Sequence, residues 1–486
     1  MYDYLTPQAN PLIDWLKRAI SEGHINYFDY EKFTEISLIN NGGFGTVNKA
    51  RWNECKLTVA LKSIKNDIKI NDKIINDFIK ELKTLQKVSF HPNIIQLYGV
   101  TRGYPKTGYN LILQYASEGD LRSYLSNNFA NLRWVDKLRI AGEITLGLMF
   151  LHNHSIIHRD LHSKNILVHE NKMMISDFNL SKQLTDISSV SKSSVNGIPT
   201  YIDPQCFKDS QYSRNKKSDI YSLGVILWEI SSGKPPFESK TAYQSIIQIN
   251  EGIRETPVEG TPSQYVDLYK LCWAEDPNKR PDAEHVLETL NRIKNPRINS
   301  DLITLEDSRE IISHIDPLLK DIDIFLIPDK LRLVQRASDD GFGKKIFFKN
   351  TKNIERTILI LQIKDTHEII GGYNPLAWRE LKGFGSVDSC YETCNSFIFS
   401  LKRGFGLGDT RPDPGNLENS IFSKVKCPKR AIYREKGLGP AFSIDLFMVD
   451  KKGGKTWGCF KSDYERPIRQ SDEYFQIEDY EVFQYL

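Results

Sequence analysis

The sequence predicts an α+β chain of two domains, the first divided into a small β-rich lobe and a larger helical lobe, the second rich in strands. Three observations carry this prediction. At 486 residues the chain exceeds what one hydrophobic core ordinarily organises, so at least two cores are expected. Short β-like runs alternate with glycines from Ile36 to Ala60, whereas helical periodicity dominates from Leu121 onward. Past Asn291 the texture changes again, through a polar stretch at Asn295–Glu306 into strand-like runs parted by Gly-rich turns.

Taken in order, Asn10-Pro11 followed by Leu12, Ile13, Trp15, Leu16, Ala19 and Ile20 has the spacing of an amphipathic helix with Pro in its first turn. The aromatic residues Tyr27, Phe28, Tyr30 and Phe33 follow, and the pair reads as a helix packed on the next domain or docking a partner. Ile75, Phe78, Ile79, Leu82, Leu85 and Val88 predict a long helix over Lys73–Val88. Val135–His152 and Asp219–Ser231 are the longest helical segments of the larger lobe. In the last third, Thr357–Ile363, Phe397–Leu401 and Ile444–Val449 read as strands. The expected divisions are an N-terminal extension over 1–32, a bilobal domain over 33–293, a linker over 294–307 and a last domain over 308–486.

Composition narrows the function classes. Hydrophobic residues at 40% and charged residues at 26% are those of a soluble globular protein, and a net charge of +3 gives no reason to expect nucleic acid or a membrane surface. Seven cysteines, an odd number scattered from Cys55 to Cys459, do not make a disulfide framework; Cys390 and Cys394 lie close together, but no second pair completes a zinc site. The longest apolar-leaning stretch, Ile220–Ile230, contains Ser222, Gly224 and Glu229, and Met1-Tyr2-Asp3-Tyr4 lacks the start of a signal peptide. A cytoplasmic setting without a membrane span is expected.

The chemistry is concentrated in His158-Arg159-Asp160-Leu161-His162-Ser163-Lys164-Asn165 and, just downstream, Asp177-Phe178-Asn179. Phosphoryl transfer from ATP needs such a set: a carboxylate to orient a hydroxyl, a cation for the moving phosphate, and an amide and carboxylate to hold Mg²⁺. The order resembles the catalytic and metal-binding segments of eukaryotic protein kinases, and Tyr98-Gly99 with Gly119-Asp120-Leu121 looks like the tyrosine-kinase-like branch. The resemblance covers about Phe33 to Ile293 and implies ATP and Mg²⁺ as cofactors and a protein as substrate.

Residue by residue, it implies the following. Asp160 is the hydroxyl-orienting carboxylate, Lys164 the cation on the transferring phosphate, and Asn165 and Asp177 the metal ligands. Lys62, in Val59-Ala60-Leu61-Lys62, grips the ATP phosphates and pairs with Glu81 on the Lys73–Val88 helix. The glycine-rich loop is Ile39-Asn40-Asn41-Gly42-Gly43-Phe44-Gly45-Thr46-Val47, where backbone must approach phosphate closely. The nucleotide pocket is assigned to Ile39, Asn41, Gly42, Gly43, Phe44, Gly45, Val47, Ala60, Leu113, Gln114, Ala116, Asp120 and Leu167. His158, Phe178, Leu85 and Leu97 are expected to stack between the lobes, and Asp219 to anchor the catalytic loop.

Four departures bear on turnover and regulation. Asn40 stands at the first glycine of the loop, and Asn179 replaces the glycine of Asp-Phe-Gly. Asp203-Pro204-Gln205 replaces Ala-Pro-Glu, with Gln205 expected to hydrogen-bond Arg280, and Ile198 stands where a hydroxyl is usual in serine/threonine kinases. The branch implies Ser/Thr as acceptors, with Tyr left open. Ser188, Ser189, Ser191, Ser193 and Ser194 could carry a phosphate that pairs with Arg159.

In the last domain, His367-Glu368-Ile369-Ile370-Gly371-Gly372-Tyr373-Asn374-Pro375-Leu376-Ala377-Trp378, with Arg336–Phe342 and Gly439–Phe442, resembles the TLDc domain. This implies a β-sandwich with flanking helices, a link to oxidative-stress resistance and, in some members, binding to the vacuolar ATPase. Tyr373 and Trp378 read as core aromatics. Two functions follow from the whole: a protein kinase with a regulatory or partner-binding TLDc module, or a nucleotide-binding pseudokinase scaffold that regulates TLDc interactions.

Overall fold

A computed structural model describes residues 11–42, 45–63, 72–103, 108–183, 197–379, 391–401, 420–433, 438–449 and 454–486. Gly43, Phe44, Cys390 and the five serines at 188, 189, 191, 193 and 194 lie outside them. The chain divides into two compact units, Met1–Lys294 and Asn295–Leu486.

The first unit begins with α1 (Pro11–Ser21) and a five-stranded antiparallel sheet in the order β1-β2-β3-β5-β4. Its strands are β1 (Phe33–Gly42), β2 (Gly45–Trp52), β3 (Leu57–Ser63), β4 (Leu97–Arg102) and β5 (Tyr109–Gln114). Helix α2 (Asp72–Val88) lies between β3 and β4 in sequence, and Phe78, Ile79, Leu82, Leu85 and Val88 form its buried stripe. Four helices follow: α3 (Leu121–Asn128), α4 (Trp134–Asn153), α5 (Gln205–Lys208) and α6 (Lys216–Ser232). Every residue of α6 from Ser218 to Ser232 is buried, which is why it shows no polar face in the sequence. Three more, α7 (Ala242–Asn250), α8 (Ser263–Cys272) and α9 (Ala283–Lys294), complete the lobe. Between α4 and α5 run the short strands β6 (Ile156–Ile157), β7 (Ile166–His169), β8 (Lys172–Ile175) and β9 (Lys182–Gln183), which carry the loops of interest.

The second unit opens with α10 (Leu305–Ile315), β10 (Leu331–Arg336), α11 (Ala337–Asp340) and α12 (Lys344–Asn350). Strands β11 (Thr357–Ile363), β12 (Ile369–Asn374), β13 (Phe397–Leu401) and β14 (Ile421–Lys424) form one antiparallel arm; β15 (Leu438–Phe442), β16 (Leu446–Val449) and β17 (Thr456–Cys459) form the other. Strand β18 (Glu473–Tyr485) joins them, pairing β17 through Glu473–Gln476 and both β11 and β10 through its later residues. Ile358 and Ile360 of β11 enter one buried cluster, and Leu359, Leu361 and Ile363 enter another. A strand covered on both faces explains its nearly unbroken apolar run. Tyr373 and Trp378 are buried in these clusters, and the Trp378 indole N–H donates to Thr357 Oγ1 at 2.7 Å.

The segment expected as a polar linker places Leu302 and Ile303 in the second unit's core, and Thr304 caps α10 in a reciprocal box with Asp307. Ser300 Oγ and the Asp301 N–H both donate to the fully buried Glu481 of β18, whose other partner is Arg336 Nε at 2.8 Å. Removing that carboxylate strands the Ser300 hydroxyl and the Asp301 N–H, while Arg336 Nε keeps Asp301 Oδ2 at 3.1 Å. Glu481→Ala should therefore cost about 3 kcal/mol in chemical denaturation, against near-neutrality for the exposed Glu478→Ala.

Candidate active site

Lys62 sits on β3, in register between Val47 of β2 and Leu111 of β5, so strands on both sides fix its backbone. Its Nζ lies 2.6 Å from Glu81 Oε1 and 3.3 Å from Asp177 Oδ1. Glu81 reaches it because it shares the buried face of α2 with Phe78, Leu82 and Leu85. Burial disfavours the Lys62 ammonium, but the two carboxylates beside it outweigh that and raise its pKa. For Glu81 burial comes first and raises the carboxyl's pKa, with the Lys62 charge working against it.

The loop before β7 is held from below by Asp219 of α6. Its Oδ2 accepts the His158 N–H and its Oδ1 the Arg159 N–H, each at 2.9 Å, and the His152 ring nitrogen lies 2.9 Å from Oδ2. Burial opposes the Asp219 charge, yet His152, His158 and the backbone donor lower its pKa. This grip supports Arg159 at φ +69°, a conformation unusual for a side-chain-bearing residue. The turn so fixed delivers Asp160 to a buried position where Asn165 Nδ2 donates to its carbonyl at 2.9 Å and its Oδ2 at 3.3 Å. Burial, with Asp177 adding to it, raises the Asp160 pKa. Gly197, at φ +117°, closes over this carboxylate, and a Cβ there would stand 2.6 Å from Asp160 Oδ1.

Asp177 also lies at positive φ, +62°, between the lobes. Its Oδ1 accepts from Lys62 and, at 2.6 Å, from the Asn179 side-chain amide. Thus the residue that replaces glycine is not a spectator: it fixes the orientation of Asp177. The Phe178 ring packs edge-on to His158 at 5.2 Å, and both are fully buried with Leu85, while Leu97 is half-buried.

The remaining expected residues fall around this centre. Ala60 and Leu113 are register partners on β3 and β5, Asn41 and Gly42 pair with Thr46 and Gly45 across the β1–β2 hairpin, and Ile39 is exposed. The Gln114 N–H is taken by the Gln96 carbonyl, so any base contact from Gln114 must come from its own carbonyl; Ala116 follows in the turn before α3. Asp120 bridges Leu167 through the backbone, and its Oδ1 caps α3 by accepting the Ser123 N–H at 2.8 Å. Lys164 is exposed beside Asn165. Among the described residues no group of three or more His, Cys, Asp or Glu could by itself hold a metal. The oxygen pair of Asp177 and Asn165 suits Mg²⁺, which keeps waters and takes its other ligands from phosphates.

Residues 33–290 match the family of protein tyrosine and serine/threonine kinases, more than half of the chain. The chain belongs to this family. Residues 299–485 match the TLDc domain, so the kinase carries a TLDc domain after its catalytic fold. It is 33% identical over 272 residues to the serine/threonine-protein kinase VIK of Arabidopsis thaliana, covering 54% of this chain and 60% of that protein. It is 32% identical over 275 residues to the human tyrosine-protein kinase TXK, 55% of this chain and 50% of that one. A probable serine/threonine-protein kinase of Dictyostelium discoideum is 30% identical over 266 residues, 54% of this chain and 28% of that protein. The chain thus spans between about a quarter and three-fifths of these relatives' length.

One expectation about this kinase is corrected. Gln205 does not bond Arg280: its amide donates to the Glu275 carbonyl at 3.0 Å. The fully buried Arg280 guanidinium is instead clasped by Asp203, two residues earlier, through bonds of 2.7 and 2.9 Å. A full ion pair is therefore present despite the loss of the glutamate. A second network escaped sequence reasoning. The Tyr201 hydroxyl meets Glu229 Oε2, Arg122 Nη2 at 2.6 Å and Ser163 Oγ at 3.2 Å, tying the catalytic loop to α3 and α6. Glu229 at the end of the apolar run Val225–Trp228 was the available signal, since a buried carboxylate needs partners.

His162, buried two residues after Asp160, has no hydrogen-bond partner for Nδ1 among the described residues. Burial first, then His158, pulls its pKa down to about 4. The unfolded chain therefore binds the proton more tightly, and stability falls as pH drops from about 6.5 towards 4. Replacing it by Gln should remove about 2 kcal/mol of that loss between pH 7 and 5, visible as a flatter stability profile over that range.

Proposed function

We propose that this kinase transfers the γ-phosphate of ATP to protein hydroxyls, with Ser and Thr as the acceptors and the TLDc domain choosing location or partner. The observation that carries the reading is the convergence of Lys62, Glu81 and Asp177 within 3.3 Å, beside the Asp160–Asn165 hydrogen-bond pair. Lys62, held by Glu81, is poised to meet phosphate oxygens. The buried Asp160 accepts the hydroxyl proton, and its raised pKa favours that role. Asp177 and the Asn165 amide oxygen present hard ligands to Mg²⁺, which when bound neutralises developing phosphate charge. Lys164 is exposed beside Asn165, available to the moving phosphate.

The Ser/Thr preference rests on the tyrosine-kinase-like context around Gly119-Asp120-Leu121 and on relatives such as VIK, while TXK, named a tyrosine kinase, keeps Tyr as the competing acceptor. Six described cysteines are unpaired and no described helix is long and apolar enough to cross a membrane, which supports the cytoplasmic setting. A vacuolar ATPase remains the partner that the TLDc resemblance suggests. One observation favours the scaffold reading: Asn179 and Lys62 both occupy Asp177 Oδ1, one of the two carboxylate oxygens that could meet a cation.

Phosphate incorporation into a peptide array separates the readings. Asp160→Asn should lower incorporation by about 10²–10⁴-fold if Asp160 handles the proton. Equal, background incorporation by wild type and variant would overturn the enzyme, and a Tyr-only signal would overturn the acceptor class.

A further inference from the structure

We infer that residues 11–28, which precede the family-matched region, form a strap that positions Glu81 by clasping the outer face of α2, with Trp15 and Lys83 as the clasp. This rests on the reading that the Lys62–Glu81 pair serves the nucleotide. The kinase match begins at residue 33, so the strap lies outside the matched region.

Two sites of attachment define it. At the helical end, α1 buries Leu16 and Ala19 and packs against α2. Lys83 Nζ stands 4.1 Å over the Trp15 ring, and Gln86 Nε2 donates to the His24 carbonyl at 2.8 Å. Further along, the segment turns and joins the sheet. Phe28 N–H donates to the Val100 carbonyl at 3.0 Å, Val100 N–H donates to the Asn26 carbonyl at 2.9 Å, and the Phe28 ring meets Trp52 at 4.6 Å. Gly99 makes this approach possible: its φ is +156°, and a Cβ there would lie 2.4 Å from the Asn26 carbonyl oxygen.

The geometry gives the strap leverage. Lys83 follows Glu81 by two residues, about 200° around a helix, so the clasped face is opposite the one that presents the carboxylate. One segment is thereby bonded to β4, a neighbour of the strand-borne lysine's sheet partner β5, and to the helix that bears the glutamate. An outward shift of α2 would lengthen the 2.6 Å Lys62–Glu81 contact and press the clasped face against the strap, which resists it. Trp15 and Lys83 act through Glu81 and are positioning residues.

The test uses the full chain and MgATP, reading the KM for ATP, kcat and the dissociation constant. Trp15→Ala should weaken MgATP binding and raise the KM by about 5- to 20-fold, Trp15→Phe should restore most of it, and Lys83→Ala should give a smaller rise of the same kind. Glu81→Ala is the yardstick: combined with Trp15→Ala it should be no worse than alone, because both remove one interaction. A fall in kcat with unchanged ATP binding would mean only a smaller folded fraction and would overturn the strap. So would losses that multiply in the double variant. Should Trp15→Ala not fold, the surface change Lys83→Ala decides alone, and no effect on MgATP would sink the inference. If Glu81→Ala itself leaves MgATP binding intact, the nucleotide role of the pair fails first, a result distinguishable from intact Glu81 dependence with an indifferent strap.

Discussion

The ion pair between Lys62 and Glu81 is the constraint on which the catalytic unit depends. Both groups are nearly removed from water, with 14% and 4% of their side-chain surface exposed, and a pair so placed is a poor way to gain stability. Apolar residues of similar volume would hold β3 against α2 as well. What they could not do is leave a cation aimed at the space between the lobes. The balance of charge points the same way: one ammonium faces Glu81, Asp177 and, nearby, Asp160, so the centre carries an excess of negative charge suited to a divalent cation.

Around that pair the scaffold is rigid where chemistry demands it. Asp219 holds two successive backbone N–H groups of the catalytic loop, Tyr201 ties Ser163 to Glu229 and Arg122, and Asp203 clasps Arg280. These tethers run from α6 and from the segment after Gly197, and two of them end in the loop that carries Asp160. The φ values of Arg159 and Asp177, +69° and +62°, are uncommon conformations, the first held by Asp219 and the second by the bonds of Asp177 to Lys62 and Asn179.

Much of this was legible in the sequence, for identifiable reasons. Strands Thr357–Ile363 and Phe397–Leu401 were readable to the residue because they are apolar runs bounded by polar or turn-forming residues. Helical periodicity marked the buried face of α2, and the kinase resemblance, not the periodicity, named Glu81 as the partner of Lys62. The Arg280 partner could not be read: Gln205 occupies the family's position, and nothing in the chain says that Asp203, 77 residues from Arg280, reaches it instead. The linker misled for a compositional reason. Leu302 and Ile303 are two apolar residues in a polar stretch, and only the hollow they fill reveals them as core. Charge-for-charge substitution and burial of isolated residues are properties of three-dimensional neighbours, invisible to periodicity.

Strand β18 has a consequence for biogenesis. It lies between β11 and β17 and also carries β10, so it is the keystone of a sheet whose other eight strands are all made before it. As the nascent polypeptide leaves the ribosome, those segments have apolar faces but no central partner, and closing the sheet requires joining β10 to residues about 150 positions later. Synthesis and folding of this half are therefore out of step. The interval before the keystone arrives is when chaperone capture matters most.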